Sequence, residues 1–170
     1  SDVCSSDLLR YFNVAGADKK LRSGLIAKSS TNLIKVICEV AVGKRNKFQI
    51  NGNDYNTKDG TTVRDFIHVS DLAEIHYLTA KYLFKNKRSK IFNCGYGKGY
   101  SVLEVLKNMN KIIPKKIPII FGKRRPKDIM ISISNIKKIN KYINWRPKFN
   151  NLNKILSSSY RWEKKLIKNF

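Results

Sequence analysis

Cysteine is scarce in this sequence, and its three copies, Cys4, Cys38 and Cys94, are odd in number and far apart. That spacing excludes a disulfide framework or a zinc knuckle and suits reduced thiols, so redox chemistry is not indicated. Long apolar runs are missing too: none approaches the roughly 18 residues a membrane span needs. The N-terminal SDVCSSDL has neither the basic start nor the apolar centre of a signal peptide, and a soluble, cytoplasmic protein is expected. Internal repeats and low-complexity tracts are absent. With 170 residues, 42% of them hydrophobic, there is enough apolar material for one ordinary core and too little chain for two comfortable domains. An initiator methionine is also lacking, and residues 1–8 back-translate to a stretch resembling a DNA-sequencing adapter. That segment is set aside as non-native, leaving residues 9–170 as the folding unit.

Acid is scarce as well. The 12 Asp+Glu are outnumbered by 35 Lys+Arg, a formal net charge of +23, and such an excess raises nucleic acid as a partner. The distribution argues against it. The surplus is mostly lysine, accompanied by abundant asparagine and isoleucine, three residues with A/T-rich codons, so drift in a low-GC genome accounts for it. The lysines are scattered, as in KNKRSK at 85–90, and are not interleaved with aromatics as a stacking platform requires. Attraction of small anionic ligands is the milder consequence of the same field.

Along the chain, strand and helix signals alternate, which predicts an α/β fold. LRYFNVAGA at 9–17 reads as a buried strand breaking at Ala15-Gly16-Ala17. Leu33, Val36, Ile37 and Val40 recur at helical spacing over 32–42, with Gly43 as the stop. That helix opens with Thr31-Asn32, so its amide end can face an anion. Residues 48–50 form a short strand, the turn-rich GNDYNTKDGTTV an ordered loop, and 64–69 an extended segment. Ser70-Asp71 should cap a helix burying Leu72, Ile75, Leu78, Thr79 and Tyr82. Residues 91–94 form another strand, followed by Gly95, Gly97 and Gly99 as a turn. Ser101 and Glu104 fit a capping box on a helix that ends at Pro114. A strand at 117–121, confined to an edge by Pro118, a basic loop at 122–127, a short helix at 135–142 capped by Asn135 and a last helix from 152 to about 166 complete the reading.

The stretches LRYFNVAGA at 9–17, GNDYNTKDGTTVRDFIHVSDLAE at 52–74, FNCGYGKGYSVLEV at 92–105, KRRPKD at 123–128 and NWRPK at 144–148 together resemble the UDP-glucose 4-epimerases, a family of extended short-chain dehydrogenases/reductases. The loop before RDFIHV is the specific part, because related dehydratases and decarboxylases share the RD.IHV core but usually not that loop. The resemblance implies the C-terminal part of an extended Rossmann-type fold: the last sheet strand or strands and the smaller α/β substrate-binding domain. It implies NAD as cofactor, held mainly by residues outside this chain, a UDP-sugar as substrate and a homodimeric parent. The family oxidises the sugar C4 hydroxyl, turns the keto-sugar while UDP stays anchored, and returns hydride to the other face. A Tyr-x-x-x-Lys pair supplies its acid/base chemistry. Neither that pair nor a strand-linked glycine fingerprint precedes Leu9, so the chain is expected to be inactive alone and to expose apolar strand edges.

By the same resemblance, Arg64 and Arg125 grip the diphosphate. The chemistry suits them, since planar guanidinium forks donate paired, charge-assisted hydrogen bonds to phosphate oxygens; Arg124 offers an alternative register for the second. Asp128 would accept from the ribose hydroxyls, Asn13, Asn32 and Leu33 would meet the substrate, and Phe12 would border the nicotinamide. Gln49, Ile50 and Asn51 lie where the family's chain passes the uracil, although the family often has an aromatic or larger apolar residue in place of Asn51. Ser132 stands where residue size helps decide whether an N-acetyl sugar fits. His68 is read as a structural, hydrogen-bonded histidine, the 95–99 glycines as a turn and not a dinucleotide fingerprint, and the Tyr160/Lys164 match to Y-x-x-x-K as chance. Another nucleotide-sugar dehydratase or decarboxylase and a basic nucleic-acid-binding module are the alternative readings.

Overall fold

The computed structural model describes residues 6–168; Cys4 and residues 1–5 of the segment set aside above lie outside them. Parallel pairing dominates. Strand β1 (Leu8–Tyr11) pairs with β5 (Ile91–Cys94), β2 (Asn13–Ala15) with β4 (Val63–His68), and β3 (Phe48–Asn51) with β7 (Ile119–Gly122), each in parallel. Strand β4 also takes β6 (Gly99–Ser101) antiparallel and the two-residue β8 (Ile131–Ser132) parallel, which makes it the strand on which most of the sheet structure is organised. Helices α1 (Leu33–Ala41), α2 (Val69–Asn86), α3 (Val102–Met109), α4 (Lys137–Tyr142) and α5 (Leu152–Lys168) pack around these strands. One continuous core joins Ile34 and Ile37 of α1, Phe48 and Ile50 of β3, Phe66 and Ile67 of β4, Phe92 of β5, Leu106 and Met109 of α3, and Ile155 and Leu156 of α5. None of the helices is long and apolar enough to cross a membrane.

Local chemistry explains most boundaries. Asn32 caps α1 by accepting from the Lys35 amide at 3.2 Å. The capping box on α3 is complete, with Ser101 Oγ accepting from Glu104 N at 3.0 Å and Glu104 Oε2 from Ser101 N at 2.9 Å. Helix α2 differs from expectation. It starts at Val69, and its cap is His68, whose Nδ1 accepts from Ser70 N at 3.1 Å; Asp71 is the first-turn acid as expected. A ring nitrogen two residues upstream does the work expected of the serine hydroxyl. Strands β6 and β8 were also not anticipated: β6 lies among glycines that read as a turn, while β8 lies in IMISIS at 129–134, whose period-2 alternation is itself a strand signal. Helix α4 begins two residues late, after Ile136, with Asn135 Oδ1 accepting from Lys137 N at 3.1 Å.

Two carboxylates of β4 and α2 hold the connecting loops. Asp65 is fully buried; its Oδ1 accepts from Tyr96 N at 3.2 Å, and its Oδ2 from Gly97 N at 3.0 Å, Ser134 N at 3.2 Å and the Ser134 hydroxyl. Asp71, equally buried, accepts from the Tyr96 hydroxyl at 2.5 Å and from the amides of Lys148 and Phe149 at 3.0 and 2.9 Å. The glycines beside them serve this packing. A Cβ on Gly95 would stand 2.6 Å from Asp65 Oδ2 and closer still to Ser134 Oγ, so the loop passes only because the side chain is missing. Residues 6–8 also take part in the fold: Lys90 N donates to Asp7 Oδ1 at 2.8 Å, and Leu8 opens β1. Leu8, Tyr11 and Ile91 of the β1–β5 pair are exposed, although parallel strands are ordinarily covered on both faces.

Candidate active site cleft

A cleft of about 800 Å³ opens between the start of α1, the strand pair β3–β7, the start of β4 and the turn after β7. Asn13, Asn32, Leu33, Gln49, Ile50, Asn51, Arg64, Arg125 and Asp128 all line it. Residues separated by more than a hundred positions in sequence are thus brought to one concavity. Its charged lining is lopsided: Arg45, Lys47, Arg64 and Arg125 against Asp128 alone.

Arg64 projects from β4 and is fixed by three acceptors. Its Nη2 donates to Asp128 Oδ1 at 2.6 Å, and its Nη1 to the carbonyls of Val63 and Met130 at 2.9 and 3.3 Å. Nε–H and one Nη2–H stay unengaged among the described residues and available to an anion. Asp128 and Arg125 share one tight turn, in which Asp128 N donates to Arg125 O at 3.3 Å. Arg125 is held from the opposite side. With the Asn51 and Gln49 amides both turned, so that the Asn51 nitrogen donates to the Gln49 oxygen at 2.8 Å and the Asn51 oxygen faces the guanidinium, Oδ1 accepts from Arg125 Nε and Nη2, each at 3.0 Å. Of Arg124 and Arg125, Arg125 is the one that lines the cleft. Arg124 leaves the cleft, pairs with Asp54 through Nε at 2.6 Å, and lies 4.2 Å over the Tyr55 ring.

The remaining lining residues are tied to the scaffold. Asn13 Nδ2 donates to the Asp65 carbonyl at 3.0 Å, and Asn32, while capping α1, donates to Val14 O at 3.3 Å. Gln49 and Asn51 lie two residues apart on β3, whose alternate residues Phe48 and Ile50 enter the core, so the strand presents its amides to the cleft. Ser132 and Phe12 are the two candidates that the structure does not bring to the wall. Ser132 sits in β8 directly across the ladder from Arg64 and is half-buried there. Phe12 occupies the break between β1 and β2, also half-buried. Conversely, Ser30, Thr31, Arg45, Lys47, Thr62, Val102 and Ile120 line the cleft without having been singled out. The cations of GKRNKF, just ahead of β3, were the one available signal for two of them.

His68 takes no part in this cleft. It is buried, stacks on Phe149 with ring centroids 4.2 Å apart, and places Nε2 3.1 Å from Ser158 Oγ. Burial pushes its pKa below the usual imidazole value, partly opposed by the nearby Asp71 carboxylate. The neutral ring is the form that can accept from Ser70 N while donating to Ser158. The 95–99 glycine loop is not a dinucleotide cradle either, since the Tyr96 and Gly97 amides are spent on Asp65. Tyr160 and Lys164 lie on α5, outside the cleft lining.

A family model described as "NAD dependent epimerase/dehydratase family" matches residues 4–95, more than half of the chain. The chain belongs to the NAD dependent epimerase/dehydratase family. Among family relatives, a UDP-glucose 4-epimerase of Azospirillum brasilense is 42% identical over 161 residues, which span 95% of this chain and 46% of that protein. In solved structures, the UDP-glucose-4-epimerase of Stenotrophomonas maltophila, with bound NAD and formylated UDP-arabinopyranose, superposes with a TM-score of 0.93 at 32% identity, covering 98% of this chain and 49% of that one. The UDP-Glc/GlcNAc 4-epimerase of Campylobacter jejuni gives a TM-score of 0.79 at 43% identity, covering 95% and 49%. The chain therefore spans about half the length of the epimerases it matches. The mixed α/β architecture with parallel strand pairs is that of the corresponding part of their Rossmann-like fold.

Proposed function

We propose that the chain is the UDP-binding part of a UDP-glucose 4-epimerase, with Arg64 and Arg125 gripping the diphosphate and Asp128 accepting from the ribose hydroxyls. The observation that carries this reading is the arrival of both guanidinium groups on one cleft from β4 and from the turn after β7. A diphosphate in such a partly dry groove gains paired, charge-assisted hydrogen bonds, each worth about 1.5–3 kcal/mol. Asn13, Asn32, Leu33 and the 49–51 strand supply the rest of the wall. The names of the family relatives point to the same substrate class.

The NAD-dependent steps belong to the parent enzyme. NAD supplies hydride chemistry where it is bound, but the described residues offer no glycine-rich cradle for it. The role proposed for this chain is to hold UDP while the sugar turns. A homodimeric parent and a nicotinamide contact at Phe12 are further parts of the proposal. Room for an N-acetyl group at Ser132 rests on the family resemblance, since Ser132 lies beside Arg64 in the sheet but off the cleft wall; the Ser132→Tyr variant of the complete enzyme should lose activity on the acetylated sugar selectively.

Isothermal titration of the chain with UDP tests the central claim. One site is expected, with Arg64→Ala and Arg125→Ala each weakening binding by about tenfold to a hundredfold. Unchanged affinity in both variants would refute it. A steep salt dependence of DNA binding that UDP does not compete would favour a nucleic-acid module instead.

A further inference from the structure

The two arginines of the cleft are held by different chemistry. Arg64 is braced by a carboxylate, Asp128, whereas Arg125 is braced by a neutral amide, Asn51, whose single oxygen, with the Asn51 and Gln49 amides turned as above, receives both Nε–H and an Nη2–H at 3.0 Å. Asn51 ends β3, and its register partner across the β3–β7 ladder is Gly122, three residues before Arg125. The brace therefore spans the point where β7 gives way to the basic turn. Gly122 has no side chain to stand in the way, and a Cβ there would lie 2.4 Å from the Gln49 amide on the same strand.

We infer that Asn51 is a positioning residue for the anion grip: it fixes the direction of the Arg125 guanidinium without neutralising its charge. This deepens the UDP-binding reading and rests on it for the identity of the anion. Arg125 is otherwise an exposed side chain on a turn, with many rotamers to lose on binding a ligand. An acceptor on the Nε edge removes that freedom in advance and leaves Nη1–H2 and one Nη2–H for the ligand. A carboxylate at position 51 would orient the fork equally well but cancel its charge. An apolar residue would leave it loose. Only a neutral acceptor does both, and Asn51 has the reach to do so from the end of a strand.

The test combines Asn51→Leu, Asn51→Asp and Arg125→Ala in the full 170-residue chain, with two readouts. In the ligand-free protein, the 15N-resolved Arg125 Nε–H signal should persist in slow exchange and vanish in Asn51→Leu. In titrations, Asn51→Leu should weaken binding of inorganic pyrophosphate, which carries no base to meet residues 49–51, by the same factor of about ten as UDP. Asn51→Asp should keep the Nε–H signal yet bind UDP more weakly. Adding Asn51→Leu to Arg125→Ala should cost pyrophosphate binding nothing further. An Arg125 Nε–H signal indifferent to Asn51→Leu would overturn the inference, as would a pyrophosphate affinity that Asn51→Leu leaves intact or an undiminished effect on pyrophosphate in the Arg125→Ala background. If the signal depends on Asn51 but the unsubstituted chain does not bind UDP, the positioning role stands and the UDP reading fails.

Discussion

Replacing Asp65 by asparagine should destabilise the protein by about 3 kcal/mol, and the figure follows from the hydrogen-bond pattern. Its Oδ2 serves Gly97 N, Ser134 N and the Ser134 hydroxyl, while Oδ1 serves Tyr96 N alone. An asparagine would keep its oxygen on the richer side and turn its NH2 toward the Tyr96 amide. One buried donor then loses its acceptor and faces another donor, which costs about 1–2 kcal/mol, and the surviving bonds fall from charge-assisted to neutral strength, about 0.5 kcal/mol each. With a urea dependence of about 2 kcal/mol/M, the unfolding midpoint should fall by about 1.5 M at neutral pH. Asp54→Asn is the matched control. It removes an exposed carboxylate that also meets an arginine, and it should leave the midpoint where it is. A shift for Asp65→Asn no larger than that of the control would refute the assignment of Asp65 as the anchor of the 95–97 and 134 segments.

Three further outcomes are expected. Glu163 is buried between α5 and α1, where it receives Lys35 and Lys44; Glu163→Ala leaves Lys35 buried without its main partner and should cost about 3–5 kcal/mol in chemical denaturation. His68 is held below its unfolded pKa of about 6.5, so between that value and the lower native one the unfolded state binds the extra proton. Stability should fall as pH drops through that window and be indifferent to this group above it, and urea titrations of His68→Gln should lack that part of the pH dependence. Burial pushes the Cys94 thiol up to about 12 and Cys38 higher still, the latter also beside Glu163, so neither should react with a disulfide reagent in the native state, whereas both should on unfolding.

The elements legible in the sequence were those whose signals are local. Asn32 and Ser101 cap their helices through residues three positions away, and the apolar spacing of α1 and α3 is complete within the helix. What escaped depends on distant partners. Strand β8 sits in the alternating IMISIS, of which only Ile131 and Ser132 find partners, in Val63 and Arg64, and β6 hides among glycines that read as a turn. The α2 cap went to His68 because Tyr96 and Ser158, far away in sequence, hold that residue in place. The cleft was legible to the extent that a resemblance carried it; composition alone showed only an excess of cations. That Arg125 and not Arg124 lines the cleft was beyond local reading, since Asp54 and Tyr55 draw Arg124 away from about 70 positions upstream. Asp65 and Asp71 were visible in the motif, but nothing in their neighbours revealed that they bind loops and not ligands.

The clamping of one short turn from two sides has a mechanical consequence. Residues 125–128 hang between strands β3 and β4 by Asn51 and Arg64, so the turn cannot swing without parting one of those links. A ligand that meets it finds its donors already aimed, and little freedom is left to surrender on docking. On the proposed diphosphate reading, selectivity comes from rigidity: an anion with its oxygens spaced differently must do without one arm of the grip, because neither arm can follow it.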